Sequence, residues 1–292
     1  MKAASIVLFN PDNVRLTDNI NSIIEQVDRI ILVDNGDSSK TTTFLENILC
    51  NDKIKYINNG GNKGIAYALN RAVEYCLNNN IEWLLTLDQD SICPSNIISV
   101  YEQYAKMKDI SIVCCAVNYN DQEIVDATVT KSEKYTYVES CITSASYINI
   151  NDCMRVGGFD ERMFIDRVDF EYCHRILKAG KKILQTNEIV LAHQLGDLQV
   201  KYVGGRNIHV GGHSAFRKYY MAQNLIYCHR KHPEYNSFSF CLIKIVKLIV
   251  KTLVYEDQKI KKVTSIVKGI SKGVFMPTST DNWIKSDGRR IS

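Results

Sequence analysis

Trp83-Leu84-Leu85-Thr86-Leu87-Asp88-Gln89-Asp90 is the stretch on which the reading of this chain turns. Its first five residues read as a short hydrophobic strand. The strand stops at two carboxylates spaced i, i+2, which a turn can aim at one ligand. Hard divalent cations take oxygen ligands and keep phosphate and water beside them. An Asp-x-Asp alone is a weak signal, because short acidic pairs are usually solvated. The strand in front of this one lifts it above that background.

The sequence on both sides repeats the design. Ser5–Phe9, Ile30–Val33, Ile54–Ile57 and Ile112–Val117 are further strand candidates. Leu16–Val27, Thr41–Cys50, Ile65–Asn78 and Asn96–Met107 carry apolar residues at helical spacing. This alternation predicts an α/β fold with a mostly parallel sheet flanked by helices. Such sheets bind ligands in the crevice at the carboxyl ends of their strands. There the runs end in Asn10, Asp34-Asn35, Asn58 to Gly64, and Asp88-Gln89-Asp90. Any one of these can be a plain turn. Four successive endings in Asn, Asp or Gly read as one assembled site.

Between Tyr135 and Gly196 the pattern is less regular. Val138–Ile150 reads as a strand segment, Asp169–Lys178 as a helix, and Lys182–Leu184 and Ile189–Ala192 as short strands. Beyond Gly205 it is helical, which predicts a boundary in Val203-Gly204-Gly205 and two parts, 1–205 and 206–292.

With 292 residues the chain can hold one large α/β domain, alone or with a helical appendage. The ten cysteines show no C-x-x-C spacing and sit mostly in apolar runs, which argues against a zinc site or disulfide framework and for a reducing compartment. The N-terminal apolar run is too brief for a signal peptide, so the catalytic part is expected in the cytoplasm. Net charge is +4, but residues 206–292 hold 16 basic against 5 acidic side chains while residues 1–205 are net acidic. A basic tail on an acidic front half suggests a second job, contact with something anionic. No nucleic-acid partner is expected. The first strand lacks a following G-x-G-x-x-G, which disfavours a nicotinamide dehydrogenase. Val7-Leu8-Phe9-Asn10-Pro11 also lacks the glycine-rich, arginine-bearing loop of a nucleotidyltransferase.

Four stretches, Ser5-Ile6-Val7-Leu8-Phe9-Asn10, Leu32-Val33-Asp34-Asn35-Gly36, Asn62-Lys63-Gly64-Ile65-Ala66 and Leu87-Asp88-Gln89-Asp90-Ser91, resemble the GT-A-fold glycosyltransferase family 2. Gly157-Gly158-Phe159-Asp160-Glu161 and Phe164-Ile165-Asp166-Arg167-Val168-Asp169-Phe170-Glu171 are similar to its bacterial rhamnosyltransferase-like branch. The resemblance implies a GT-A fold with a C-terminal helical extension. It also implies inverting transfer of a sugar with a divalent cation, Mg²⁺ or Mn²⁺. L-rhamnose from dTDP-rhamnose is the expected donor, with UDP-hexose or UDP-galactofuranose as alternatives. The acceptor is a polysaccharide or a lipid-linked oligosaccharide. A sugar-binding relative without catalysis is the remaining alternative, and retention of Asp88, Asp90 and Asp169 argues against it.

By the same resemblance Phe9, Asn10 and Asp34 hold the nucleobase, Asp34 accepting the imide N–H of uracil or thymine. The alternative to this role is a turn in Asp34-Asn35-Gly36, a reading that bears chiefly on Asn35 and Gly36. Asn62 and Gly64 lie beside the donor nucleotide, at a helix start whose free N–H groups favour anionic ligands. Asp88 and Gln89 go to the donor, Asp88 near its ribose, and Asp90 goes to the metal. His193 matches a position that adds a histidine near the metal, and can equally be a structural hydrogen-bonding residue. Asp169 is the candidate general base, with Asp166 and Glu171 read as acids complementing a helix N-terminus. Two departures bear on donor or acceptor identity: Ala145 in Thr143-Ser144-Ala145-Ser146, where related enzymes have Gly, and Gln223, where Arg is usual.

Phe238–Tyr255 is apolar but places Lys244, Lys247 and Lys251 on one helical face. Three central lysines disfavour a spanning helix and suit one lying at an anionic membrane surface, placing the enzyme peripherally at the inner face of the cell membrane. The alternative is a helix packed on the catalytic domain or on a second subunit of a homo-oligomer.

Overall fold

The computed structural model describes residues 1–36, 46, 48–119, 133–193, 198–203 and 206–279. The elements run β1 (Lys2–Leu8), α1 (Asn13–Ile23), β2 (Arg29–Asp34), β3 (Ile54–Asn58), α2 (Ile65–Asn78), β4 (Trp83–Asp88), α3 (Ile97–Ala105) and β5 (Ile110–Tyr119). There follow β6 (Tyr135–Val138), β7 (Ser146–Asn149), α4 (Ile150–Arg155), α5 (Val168–Lys178), β8 (Lys182–His193), β9 (Leu198–Val203) and β10 (Arg206–Gly211). Three helices close the chain: α6 (Ala215–Lys231), α7 (Phe238–Tyr255) and α8 (Lys259–Phe275).

Eight strands form one sheet in the order β3-β2-β1-β4-β7-β5-β8-β6. The first four pair in parallel, as do β5 and β8, while β7 and β6 run against their neighbours. Six of the eight strands therefore point one way, and the mostly parallel α/β sheet is found. The inner strands β1, β2 and β4 are buried on both faces, as a sheet covered by helices requires, whereas the edge strand β3 exposes Lys55 and Asn58. Ala3, Ile31, Val33 and Leu84 pack with α2, α4 and α5 on one face. Ala4, Ile6, Leu8, Leu32, Leu85 and Leu87 pack with α1 and α3 on the other.

The middle of the chain corrects the expected elements. Val138–Ile150 is two separate strands, β6 and β7, on opposite sides of the β5–β8 pair, and the chain between them carries Ala145 at φ +58. Conversely, Lys182–Leu184 and Ile189–Ala192 belong to one strand, β8, whose register slips against β5 between Cys115 and Ala116. Apolar patterning registers the slip as a gap. Of Thr41–Cys50, only residues 46 and 48–50 are among those described.

Residues 204–205, where the boundary is expected, lie outside the described residues, between the paired strands β9 and β10. The helical region starts only at Ala215, and α6 is part of the main core: Tyr227 and Cys228 are buried among side chains of α2, α4 and α5. Beneath them lies a buried charge network. Lys231 Nζ bridges Asp160 (2.7 Å) and Glu171 (2.9 Å), Arg175 makes three bonds to Glu171, Arg162 holds Asp160, and the Tyr227 hydroxyl donates to Asp160 (2.6 Å). Burial alone would raise both acids, but the cations hold Asp160 below and Glu171 well below the usual carboxylate range. α8 packs on α6 through Gly273, where a Cβ would come within 2.5 Å of the Gln223 carbonyl, and through Gly269 against Tyr219.

Candidate active site

Hydrogen-bond register sets Val7 opposite Asp88, Leu8 opposite Asp34, and Asp34 opposite Asn58. Four parallel strands thus end in one row, and the polar endings share one edge of the sheet. At β1, Phe9 is 50% exposed and Asn10 turns the chain at φ +47, a conformation Asn tolerates. Gly36 abuts this turn, and a Cβ there would sit 3.0 Å from the Asn10 nitrogen. Gln89 latches β1 to β4: its Oε1 accepts the Phe9 N–H (2.8 Å) and its Nε2 donates to the Phe9 carbonyl (3.4 Å).

Asp34 is fully buried. One oxygen accepts the Gly36 N–H (2.8 Å) and the other the Tyr56 hydroxyl (2.6 Å), leaving each a further lone pair. Asn35, buried beside it, is a hub for the 59–64 loop. It donates to Asn62 Oδ1 (3.1 Å) and the Gly64 carbonyl (3.1 Å), and accepts from the Lys63 N–H (3.0 Å) and Asn59 (3.2 Å). Asn62 Oδ1 also accepts the Gly64 N–H (3.0 Å), so this side chain orders its own loop. Gly64, at φ +91, lies against Phe164, where a Cβ would come within 2.7 Å of the carbonyl oxygen. The Ile65 N–H donates to that same oxygen (2.8 Å). Gly64 therefore joins the 59–64 loop to the segment that leads into α5.

Asp88 and Asp90 are half-buried at the end of β4. The turn is held from three sides: Asn19 donates to the Asp88 carbonyl (2.6 Å), the Asp88 N–H donates to Ser144 Oγ (3.4 Å), and Ser144 meets Ser91 (2.6 Å). The same bend carries Ala145 in the left-handed region, where an L-residue costs roughly 1–2 kcal/mol and glycine is unstrained.

Asp169 sits in the first turn of α5, half-buried. Two consecutive left-handed residues, Asp166 (φ +68) and Arg167 (φ +63), turn the chain into this helix. Asn224 of α6 bolts that turn by donating to the Ile165 (2.7 Å) and Asp166 (2.8 Å) carbonyls, and Arg217 pairs with Asp166 (3.2 Å). Burial pushes the Asp169 carboxyl up to about 7. A hydrogen bond from the Phe170 N–H (2.9 Å) opposes the shift, and negative charge at Cys141 and Asp88 adds to it. Behind Asp169, Cys141 and Cys173 bring their sulfurs to 3.8 Å in a small pocket closed by Thr86, Phe159 and Tyr172. The neighbouring acids differ in kind: Glu171 is consumed by the buried network and Asp166 by Arg217.

His193 ends β8 opposite Tyr119, and its side chain lies outside the described residues. Among the described residues no three His, Cys, Asp or Glu side chains gather as a metal cluster. Asp88 and Asp90 are two half-buried carboxylates at one turn, oxygen groups of the kind a hard cation takes alongside phosphate and water.

The model of glycosyl transferase family 2 matches residues 6–160, more than half of the chain. The chain belongs to this family. It is a glycosyltransferase, and the matched span takes in the strand-end row and Asp88-Gln89-Asp90 but stops before Asp169. A dTDP-rhamnosyl transferase of Shigella flexneri, RfbF, is 29% identical over 275 residues, 88% of this chain and 89% of its own. Two solved structures share the GT-A fold at low identity. The mannosyltransferase PcManGT from Pyrobaculum calidifontis, in complex with GDP-Man and Mn²⁺, superposes at a TM-score of 0.60 with 11% identity over 94% of this chain and 87% of that one. GalNAc-T7 with UDP, GalNAc and Mn²⁺ gives 0.57 with 14% identity over 80% of this chain, which spans 50% of that longer one.

Several residues that build the site in this family 2 glycosyltransferase escape sequence reasoning. Tyr56 reads as an ordinary strand residue, Asn35 as a turn former, and Ser144 and Asn224 as parts of motifs without a partner. Each acts across more than twenty residues of chain, on Asp34, the 59–64 loop, Asp88 and the Asp166 turn respectively. Three of them had a signal: Asn35 and Ser144 in the quoted stretches Leu32–Gly36 and Thr143–Ser146, and Asn224 next to Gln223, where the chain departs from the usual Arg.

Proposed function

We propose that this glycosyltransferase moves L-rhamnose from dTDP-rhamnose, with inversion, to a hydroxyl of a lipid-linked cell-surface polysaccharide intermediate. The donor is suggested by the rhamnosyltransferase relative, which matches along nearly its whole length. In this reading the donor lies along the strand-end row. The base stacks near Phe9 and Asn10, and Asp34 accepts the thymine imide N–H with a remaining lone pair once its surroundings open. The ribose and diphosphate follow past Asn62, Gly64, Asp88 and Gln89. Asp88 and Asp90, with His193 as a further candidate ligand, hold Mg²⁺ or Mn²⁺, which when bound neutralises the departing diphosphate. Donor binding and chemistry belong to residues 1–205, and contacts beyond the site belong to 206–292, with α6 as the weld between them.

The reaction makes one bond and breaks one. The acceptor oxygen attacks the anomeric carbon from the face opposite the diphosphate, the bond from that carbon to the diphosphate oxygen breaks, and nucleoside diphosphate leaves. The acceptor hydroxyl proton passes to Asp169. The observation that carries this reading is the carboxylate Asp169 at the first turn of α5, half-buried with no cation paired to it among the described residues, its carboxyl pushed up to about 7 mainly by burial. A base with its midpoint near working pH is well matched to proton transfer, worth roughly 10²–10⁴-fold. The test is a panel of dTDP-rhamnose, UDP-hexoses and UDP-galactofuranose, scored by thermal stabilisation and turnover with and without Mn²⁺, with product anomeric configuration read by NMR. Preference for dTDP-rhamnose and an inverted product are expected. Preference for a UDP sugar would reject the donor, and a retained configuration would reject the mechanism.

A further inference from the structure

α7 meets the rest of the protein along one face. Cys241, Ile245 and Thr252 are buried and Leu248 and Ile249 half-buried, packed with Ala222 and Leu225 of α6 and Ile266 of α8. The other side is uncovered: Leu242, Ile243, Val246, Val250, Leu253 and Val254 are each about half exposed. At 3.6 residues per turn these six fall in one arc of the helix. The exposed Lys244, Lys247 and Lys251 run along the border of that arc. The helix holds no acidic residue, and among the described residues no carboxylate pairs with these three lysines. By contrast Lys218 and Lys262 are internal, clamped on either side of Glu256.

We propose that this face of α7 docks on an anionic lipid bilayer, with the aliphatic arc at the headgroup–acyl boundary and the lysine stripe on lipid phosphates. No helix among the described residues is long and apolar enough to cross a membrane, so α7 lies on the surface. Charge decides between a bilayer and a second copy of the chain. A two-fold contact through this face would set the lysine stripe against itself with no acid to pair, and the cores of protein interfaces are depleted in lysine. A layer of lipid phosphates supplies the missing negative charge. This assignment stands apart from the donor and the reaction.

The test is co-sedimentation of the full chain with vesicles of phosphatidylcholine, alone or mixed with phosphatidylglycerol, at low and high salt. Binding is expected only with the anionic lipid and should weaken with salt. Replacing Lys244, Lys247 and Lys251 together with Glu should weaken partitioning by about 100-fold or more, taking each lysine at its usual contribution near an anionic leaflet. The triple Arg variant should bind as wild type does, and Ile243→Gln with Val250→Gln should weaken binding without changing net charge. Because all these positions are exposed, each variant should keep the wild-type melting temperature. Equal sedimentation of the Glu variant and wild type overturns the proposal. So does ultracentrifugation showing a dimer that Ile243→Gln with Val250→Gln dissociates, since the face would then belong to a second copy.

Discussion

Asp169→Asn tests the chemistry and the fold together, with effects of opposite sign. A general base must be ionised to act, and burial holds this carboxyl up at about 7 against an ordinary 3.8. Two pH units below such a midpoint only about one molecule in a hundred carries the base, so kcat/KM should fall about tenfold per unit on the acid side. Removing the base should lower turnover on the order of 10²-fold or more while leaving donor affinity nearly intact. Stability moves the other way. The folded state holds the Asp169 proton more tightly than the unfolded chain does, so the group's contribution is fully present below about 3.8 and is lost as pH rises through about 7. Above that pH the ionised group weakens the fold by at most roughly 4 kcal/mol, a cost that a neutral amide of the same shape does not carry. Asp169→Asn should therefore melt several degrees above wild type at about pH 8 and level with it near pH 4. Initial rates across pH, with melts followed by circular dichroism at both pH values, read both effects. A variant that keeps its turnover at saturating donor while losing donor affinity would move Asp169 into the binding site. A lower melting temperature at the alkaline pH would refute the electrostatic argument.

Asp90→Asn and EDTA should each abolish transfer, by removing the charge that offsets the diphosphate; full activity in EDTA, with metal absence verified, would sink the metal-dependent mechanism. Glu171→Ala should destabilise the protein by on the order of 3–5 kcal/mol, because Arg175 and Lys231 would keep buried charges without their partner; an unchanged denaturant midpoint would contradict the network. Gly64→Ala should cost on the order of 2–3 kcal/mol through its left-handed backbone and the clash with Phe164, and should lower kcat as the 59–64 loop parts from the α5 segment. A variant with wild-type melting and turnover would show that this contact does not matter.

Much of the architecture was legible in the first 120 residues because local signals there agree. Strands buried on both faces appear as unbroken apolar runs, helices as apolar positions at helical spacing, and the polar residue ending each run marks the carboxyl edge of the sheet. Ile65–Asn78 and Phe238–Tyr255 form helices with the predicted ends. Asp88, Asp90 and Asp169 stand out as candidates along the chain because their residue types and local motifs suit such chemistry. Pairing across distance could not be read. The splitting of the stretch before Ile150 into β6 and β7 follows from which neighbours each strand finds in the sheet. The slipped register of β8 depends on β5, and the place of α6 in the main core depends on the charges of Asp160 and Glu171. Asp166, Asp169 and Glu171 look alike along the chain. What separates them is solvent exclusion and partner geometry: Glu171 meets three cationic or imidazole partners and stays ionised, Asp166 pairs with Arg217, and Asp169 is half-buried with no cation paired to it among the described residues. The sequence by itself determined the order of elements and the types of group at the strand ends. Only the tertiary structure decided which carboxylate holds its proton, because that depends on the dielectric and the charges around each group in space.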